Sequence, residues 1–239
     1  MRNWLISTEP KQLEYYKDIL IHADTGVHEQ AAALFARYVS AGACVLDVGA
    51  GAGAFSQRLT DAGYAVTALD IDPEKWLPQA IPFLKLNIDA GIAASVTAQF
   101  DAVCCLEVIE HVENSWNLLR EIYTVLKPGG RLILSTPNIT SFLSRLLFLR
   151  TGHFHQFSVA DLAYGHINPV TAFEINIIAA RLGWKILETR PGGYLPVCDF
   201  SSWRPQKLAF NFLRVCSYLL ARGQKQGWCL FFVLEKPAS

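Results

Sequence analysis

Three groups of residues in this sequence could do chemistry. The first is Asp47, Gly49-Ala50-Gly51 and Gly53, followed by Asp70. Glycines let a backbone approach a ligand closely and take φ angles that other residues resist. A helix opening just after them turns unpaired N–H groups toward that ligand. An acid about 20 residues further on can accept hydrogen bonds from both hydroxyls of a ribose. Together these predict a site for a nucleoside-containing cofactor. The second group is Glu107, Glu110 and His111, at i, i+3 and i+4. On a helix they would share a face, and two carboxylates with an imidazole could hold a divalent metal. The favoured alternative needs no metal: Glu107 and His111 orient loops, and Glu110 makes structural hydrogen bonds. The third group is His153, His155, Tyr164 and His166, with Phe154 and Phe157 among them. Such side chains could grip a ring, a quinol or a sugar and accept its proton.

The elements that must position these groups follow from periodicity. Cys44–Val48 is a short apolar run with β-branched residues and reads as a buried strand. Residues 54–62 have helical spacing, with Phe55, Leu59 and Ala62 on one face and Gly63 as the stop. Residues 65–69 form a second strand that ends at Asp70. Asp72 before Pro73 reads as a helix entry. Residues 82–86 read as a third strand, followed by Asn87-Ile88-Asp89. Phe100–Leu106 is a fourth. An amphipathic helix carrying Trp116, Leu119, Ile122, Tyr123 and Leu126 then stops at Lys127-Pro128-Gly129-Gly130, and residues 131–135 form the fifth strand. Residues 170–182 read as a helix, 184–189 as the sixth strand and 228–235 as the last. Residues 1–40 read as helical, broken near Asp24-Thr25-Gly26, with Leu13, Tyr16, Ile19 and Leu20 on one face. His22 and His28 flank that break and read as surface or capping residues, although His28 opens the helix leading into the glycine strand and so could reach the pocket.

Two stretches exceed what this alternation needs. Residues 139–169 are long enough for a functional cap. They leave the carboxyl edge of the sheet, where ligands bind in open α/β folds, so they are expected to roof the substrate. There His166, backed by Asn168, is the strongest site residue. Residues 205–222 are very apolar with a narrow polar stripe. A helix of that kind is buried, pairs with another subunit or lies in a membrane surface.

Composition sets the outer bounds. At 239 residues, 51% of them apolar, the chain can bury one sizeable α/β core. Its 21 basic and 21 acidic residues balance, which speaks against a general electrostatic nucleic-acid binder. The six cysteines form no C-x-x-C pair and read as inert core thiols in a reducing compartment. The N-terminus lacks the long apolar run of a signal peptide, and no stretch reaches the roughly 18 apolar residues of a membrane span. A cytoplasmic protein is expected, with peripheral membrane contact or a homodimer through 205–222 as the open partner surface.

The pattern Asp47-Val48-Gly49-Ala50-Gly51-Ala52-Gly53, then Asp70, then FDAVCCLEVIEHV, a helix and LKPGG resembles the class I S-adenosylmethionine-dependent methyltransferases over roughly 41–138. Within them it is most similar to the branch that holds the ubiquinone-biosynthesis O-methyltransferases and related small-molecule and glycan methyltransferases. The resemblance implies a Rossmann-like seven-stranded mixed sheet, its last strand antiparallel, with helices on both faces and a helical cap insertion. It implies one domain: an N-terminal lid over 1–40, a cofactor core over 41–138, a substrate cap over 139–169 and C-terminal helices and strands over 170–239. S-adenosylmethionine is the implied cofactor and S-adenosylhomocysteine the product. Its implied contacts are Asp47, Gly49, Ala50, Gly51, Gly53, Asp70, Ile71, Asn87, Ile88 and Leu106. The expected reaction is methylation of a hydroxyl on a small-molecule acceptor, with His166 and then His111 as the base and His153, His155 and Tyr164 against the acceptor. The rival from another class is a cofactor-binding module without turnover that serves as a regulatory or partner subunit. A dehydrogenase is disfavoured by the glycine spacing.

Overall fold

Near-continuous apolar runs along the central strands build a sheet whose middle is buried on both faces. The structure is a computed structural model that describes residues 13–192, 204–205, 208–209, 211–212 and 227–238. In chain order it runs β1 (Tyr15–Tyr16), β2 (Ile19–Leu20), α1 (Val27–Tyr38), β3 (Cys44–Val48), α2 (Ala54–Asp61) and β4 (Ala65–Asp70). Then come β5 (Phe83–Lys85), β6 (Phe100–Leu106), α3 (Ser115–Val125), β7 (Leu126–Pro137), α4 (Phe142–Thr151), α5 (Ala172–Leu182), β8 (Lys185–Gly192) and β9 (Cys229–Glu235). The seven-stranded sheet has the order β5-β4-β3-β6-β7-β9-β8. The first five of these strands are parallel, and β9 inserts antiparallel between β7 and β8. The expected mixed sheet with an antiparallel last strand is therefore present.

Two cores follow from the two faces. Leu46, Val103, Leu134 and Phe232 point to one side, where Leu119 and Ile122 of α3 and Ile175 and Ile178 of α5 cover them. Val45, Cys104, Ile133 and Phe231 point to the other, under Leu34 and Phe35 of α1 and Phe55 and Leu59 of α2. Asp47 alternates onto the α1/α2 side, which decides its partners below. The starts of α3, α4 and α5 carry side-chain caps: Asn114, Ser141 and Thr171 each accept a hydrogen bond from a backbone N–H three residues on.

Four expectations change. Residues 13–20 form no helix. Tyr15 and Tyr16 pair with Leu20 and Ile19 in a short hairpin. Its side chains clamp α2: the Tyr16 hydroxyl donates to Asp61 at 2.8 Å, Lys17 sits 2.7 Å from Asp61, and Arg58 lies over the Tyr16 ring. These tertiary contacts override the apparent helical spacing, as they commonly do for aromatic residues at a sheet-like surface. The helix entry at Asp72 yields one 3-10 turn, Pro73–Lys75, with Asp72 accepting from the Glu74 N–H. Pro78 denies any longer helix an N–H there. The fifth strand expected over 131–135 extends as β7 over Leu126–Pro137, through the lysine-proline-glycine stop. The fourth change concerns the cysteines: Cys104, Cys105 and Cys229 are buried thiols, but Cys44 is exposed at the start of β3.

The expected helix at 205–222 falls mostly outside the described residues. Pro205, Leu208, Ala209, Asn211 and Phe212 are helical, with Asn211 buried and Phe212 exposed. Among the described residues no helix is long and apolar enough to cross a membrane.

Candidate active site

Parallel strands leave a crevice beyond their carboxyl ends where the order reverses, here between β3 and β6. A two-lobed cavity lies there. The smaller lobe, about 410 Å³, has Asp70, Ile71, Leu86, Asn87, Ile88 and Val108 in its walls. The larger, about 670 Å³, has Asp47, Ala50, Leu106 and Phe55 on the sheet side and Gln156, Asp161, Tyr164 and His166 on the cap side. Gly49, Gly51, His22, Glu107 and His111 line both lobes, so the two meet over the glycine turn.

The turn is shaped by backbone geometry. Gly49 has φ 73°, and a Cβ on it would lie 2.4 Å from the Val108 side chain. Only a glycine lets this backbone sit against the wall of the cavity. Gly53 departs from expectation, because it lines neither lobe. It caps α2 with φ 92°, and a Cβ there would meet Pro78 and Trp76. It is therefore a packing residue.

Two carboxylates flank the turn. Asp47 is buried. It accepts from Ser56 Oγ at 2.5 Å and Cys104 Sγ at 2.8 Å, and burial pushes its carboxyl up while those two donors hold it down. Asp70 accepts from the Gly51 N–H at 2.8 Å and the Asp72 N–H at 3.0 Å, which ties the glycine turn to the end of β4. Asn87 accepts from the Asp89 N–H through its side-chain oxygen, leaving its amide N–H groups as donors beside the smaller lobe.

Glu107 follows β6 with φ 53°, a left-handed conformation uncommon outside glycine. Its N–H donates to the Ser135 hydroxyl, which in turn donates to its carboxylate at 2.6 Å. Ile109–His111 then makes a single 3-10 turn. The helix needed to put Glu107 on one face with Glu110 and His111 does not form. The group that could share a cation is instead Glu110, His111 and His166, whose donor atoms lie within 4.8 Å of one another. Glu110 is fully buried, and burial, with Glu107 nearby, pushes its carboxyl well above the usual range. Its Oε2 accepts from Thr136, and its Oε1 has no partner among the described residues.

His166 reaches this place because the end of the cap is laced to the 110–112 turn. The N–H groups of Ile167 and Asn168 both donate to the Glu110 carbonyl at 3.0 Å, and the Asn168 amide donates to the Val112 carbonyl. Asn168 thus fixes the backbone, and another residue holds the His166 ring: its Nδ1 lies 2.8 Å from the Gln156 carbonyl. A carbonyl only accepts, so in the neutral ring Nδ1 carries the proton and Nε2 keeps its lone pair. The His111 ring meets it edge-on at 4.7 Å. Burial and the neighbouring His166 imidazole lower the His111 pKa, and a backbone hydrogen bond with Gly165 works the other way.

The other cap expectations divide. Tyr164 lines the larger lobe and is 76% exposed, so it stands at the rim. His153 is exposed and lines neither lobe. His155 is buried behind the cavity wall, its ring 4.4 Å from Trp228 and its N–H on the Ser144 hydroxyl. Burial lowers its pKa to about 4. Neither residue faces an acceptor. Asp24, read only as part of a helix break, and Gln156, which carried no signal, both line the larger lobe.

His22 and His28, read as surface or capping residues, both line the larger lobe, and the expected reach of His28 into the pocket is met. His28 is buried edge-on against Phe55, and its Nδ1 has no partner among the described residues. Burial, then Arg58 and His22, lower its pKa to about 3. Since the folded value lies below the unfolded value of 6.5, the unfolded chain takes up a proton first as pH falls. The contribution of His28 to stability is therefore lost from pH 6.5 toward 3, by roughly 1.4 kcal/mol per pH unit. A His28→Gln chain should gain about 2 kcal/mol on the wild type between pH 7 and pH 5. Urea midpoints of both chains at the two pH values measure it.

The fold is that of the class I S-adenosylmethionine-dependent methyltransferases. The methyltransferase-domain family matches residues 23–189, and the chain belongs to that family. It is similar to ubiquinone biosynthesis O-methyltransferases. That of Xanthomonas oryzae pv. oryzae is 36% identical over 148 residues, 54% of this chain and 62% of the relative. The chain therefore spans about three fifths of the length of the curated relatives it matches. Its fold is shared with a SAM-dependent methyltransferase from Archaeoglobus fulgidus, at TM-score 0.59 and 19% identity over 87% of this chain and 94% of that one. It is also shared with 1,6-didemethyltoxoflavin-N1-methyltransferase from Burkholderia thailandensis, solved with bound 1,6-didemethyltoxoflavin and S-adenosylhomocysteine, at TM-score 0.57 and 18% identity over 88% and 78%.

Proposed function

We propose that the chain transfers a methyl group from S-adenosylmethionine to a hydroxyl of a small molecule, with His166 as general base. The observation that carries this reading is the His166 ring, fixed with Nε2 as acceptor and facing the larger lobe. The relatives named O-methyltransferases support oxygen as the nucleophile and a phenol or quinol as the acceptor.

The residues present fit the cofactor. Asp70 offers carboxylate lone pairs for a ribose diol. Ile71, Leu86, Ile88 and Val108 offer apolar walls for a purine, and Asn87 offers amide donors at its edge. The bare backbone of Gly49, Ala50 and Gly51, with Asp47 behind it, takes the methionine part. When bound, S-adenosylmethionine supplies an already activated methyl group. The work left to the chain is alignment and proton removal. The cap and the hairpin segment hold the acceptor over the glycine turn, and Nε2 of His166 takes its hydroxyl proton. His111, at the junction of the lobes, orients the acceptor beside it.

Calorimetry with S-adenosylmethionine and S-adenosylhomocysteine tests the cofactor, and label transfer to catechol and other phenols tests the reaction. Micromolar binding of both with turnover supports the reading. Binding without turnover on any acceptor favours the silent module. A second reading places a divalent cation on Glu110, His111 and His166, favoured by their proximity and by the unpaired Glu110 oxygen. We expect chelation with EDTA to leave turnover unchanged; a magnesium- or zinc-dependent gain would move those three residues to cation binding. Exposed Leu149 and Arg150 on α4 support peripheral membrane contact, which co-flotation with anionic vesicles reads.

A further inference from the structure

We propose that Asp24 and Gln156 are positioning residues that hold the His166 ring in its base-competent tautomer. The inference rests on the His166 reading above and adds the two residues that act through it.

Gln156 lies in the cap and Asp24 in the segment between β2 and α1, 132 positions apart. Both line the larger lobe. The Gln156 side-chain amide donates to the Asp24 carboxylate at 2.5 Å, while its backbone carbonyl accepts from His166 Nδ1 at 2.8 Å. One residue thus faces the N-terminal segment with its side chain and the histidine with its main chain.

The backbone of Gln156 supports this arrangement. Its φ is 63°, in the left-handed region. Among the described residues only Lys17, Glu107 and Gln156 do this without being glycine, and the last two are both in the cavity wall. A side chain bearing such a φ persists where its surroundings over-determine it, and such residues gather at functional sites. A turn serving the cap alone would take glycine here at no steric cost. Glutamine instead adds the amide that Asp24 anchors through a hydrogen bond to a charged acceptor, stronger than one between neutral groups. The anchor fixes where the carbonyl points, and the carbonyl fixes which nitrogen of His166 is free. No proton moves along the chain of contacts; it acts by orientation alone.

The test is long-range proton–nitrogen NMR of the full chain labelled at histidine, with the His166 signals assigned by their loss in His166→Gln. The wild type should show the Nδ1–H tautomer only. Gln156→Gly keeps the carbonyl and relaxes the backbone, and Asp24→Ala removes the anchor. Both should give a mixture of tautomers and lower kcat for catechol about tenfold. KM for S-adenosylmethionine should not change, and the thermal midpoint of Gln156→Gly should be equal or higher. Asp24→Asn, which keeps an acceptor oxygen, should restore the single tautomer. Neither loss should add to that of His166→Gln. An unmixed Nδ1–H tautomer in both Gln156→Gly and Asp24→Ala would overturn the proposal. If His166→Gln itself turns over catechol at the wild-type rate, the base reading fails instead, and the tautomer measurement still decides what Asp24 and Gln156 do.

Discussion

A His166→Gln chain is expected to bind S-adenosylhomocysteine with wild-type affinity and to lose about 100- to 10,000-fold in kcat, the usual contribution of a positioned general base. The separation of the two effects follows from where the ring sits. His166 lines only the larger lobe, while the groups assigned to adenine and ribose line the smaller one. Glutamine is close in length and can still donate an N–H to the Gln156 carbonyl, so the cap should keep its place. What glutamine cannot do is accept a proton at neutral pH. The matching His111→Gln chain should lose less, since His111 lines both lobes and serves alignment. A His166→Gln chain within threefold of wild type beside a His111→Gln chain reduced a hundredfold would exchange the two assignments.

The part of this site that was legible in the sequence is the part made by neighbours along the chain. Strand, glycine turn, helix and second strand occupy Cys44–Asp70, and each signal there is local: β-branched residues, φ-permissive glycines, an apolar face, a closing acid. The structure places Asp47, Gly49, Gly51 and Asp70 accordingly. The acceptor side depends on contacts between distant segments, and there local pattern misled. Glu107, Glu110 and His111 have helical spacing, yet the left-handed φ at Glu107 turns its carboxylate to Ser135, and His166 takes the place beside Glu110 from 56 positions away. His155 has the composition of a ligand residue but is closed off against Trp228 of the final strand region. Gln156, beside it, has the opposite outcome, and nothing in the sequence around it marks a left-handed residue. Tyr15–Leu20 shows the same limit in a small element. Its spacing fits a helix, but Asp61 and Arg58 of α2 recruit the tyrosine and lysine into a hairpin.

Replacing Asp70 by alanine is expected to weaken the binding of S-adenosylmethionine and S-adenosylhomocysteine equally, by about 3–6 kcal/mol or roughly 150- to 25,000-fold in Kd. Each carboxylate oxygen has two lone-pair directions. One on each oxygen is taken by a backbone N–H, from Gly51 at 2.8 Å and from Asp72 at 3.0 Å, which leaves a second acceptor direction on each oxygen of a residue that lines the smaller lobe. Two adjacent hydroxyls of a ribose match that pair, and hydrogen bonds to a charged acceptor are worth about 1.5–3 kcal/mol each. Alanine removes both, and it also releases the Gly51 N–H that holds the glycine turn against the end of β4. Asp70→Asn should lie between, because the amide keeps one acceptor oxygen and turns a donor toward one of the two N–H groups. Equality of the two losses is the informative part. The ribose is common to both ligands, whereas the positive charge on sulfur belongs to S-adenosylmethionine alone. A loss confined to S-adenosylmethionine in calorimetry would therefore move Asp70 from the ribose to the sulfonium, and with it reverse which lobe takes the nucleoside.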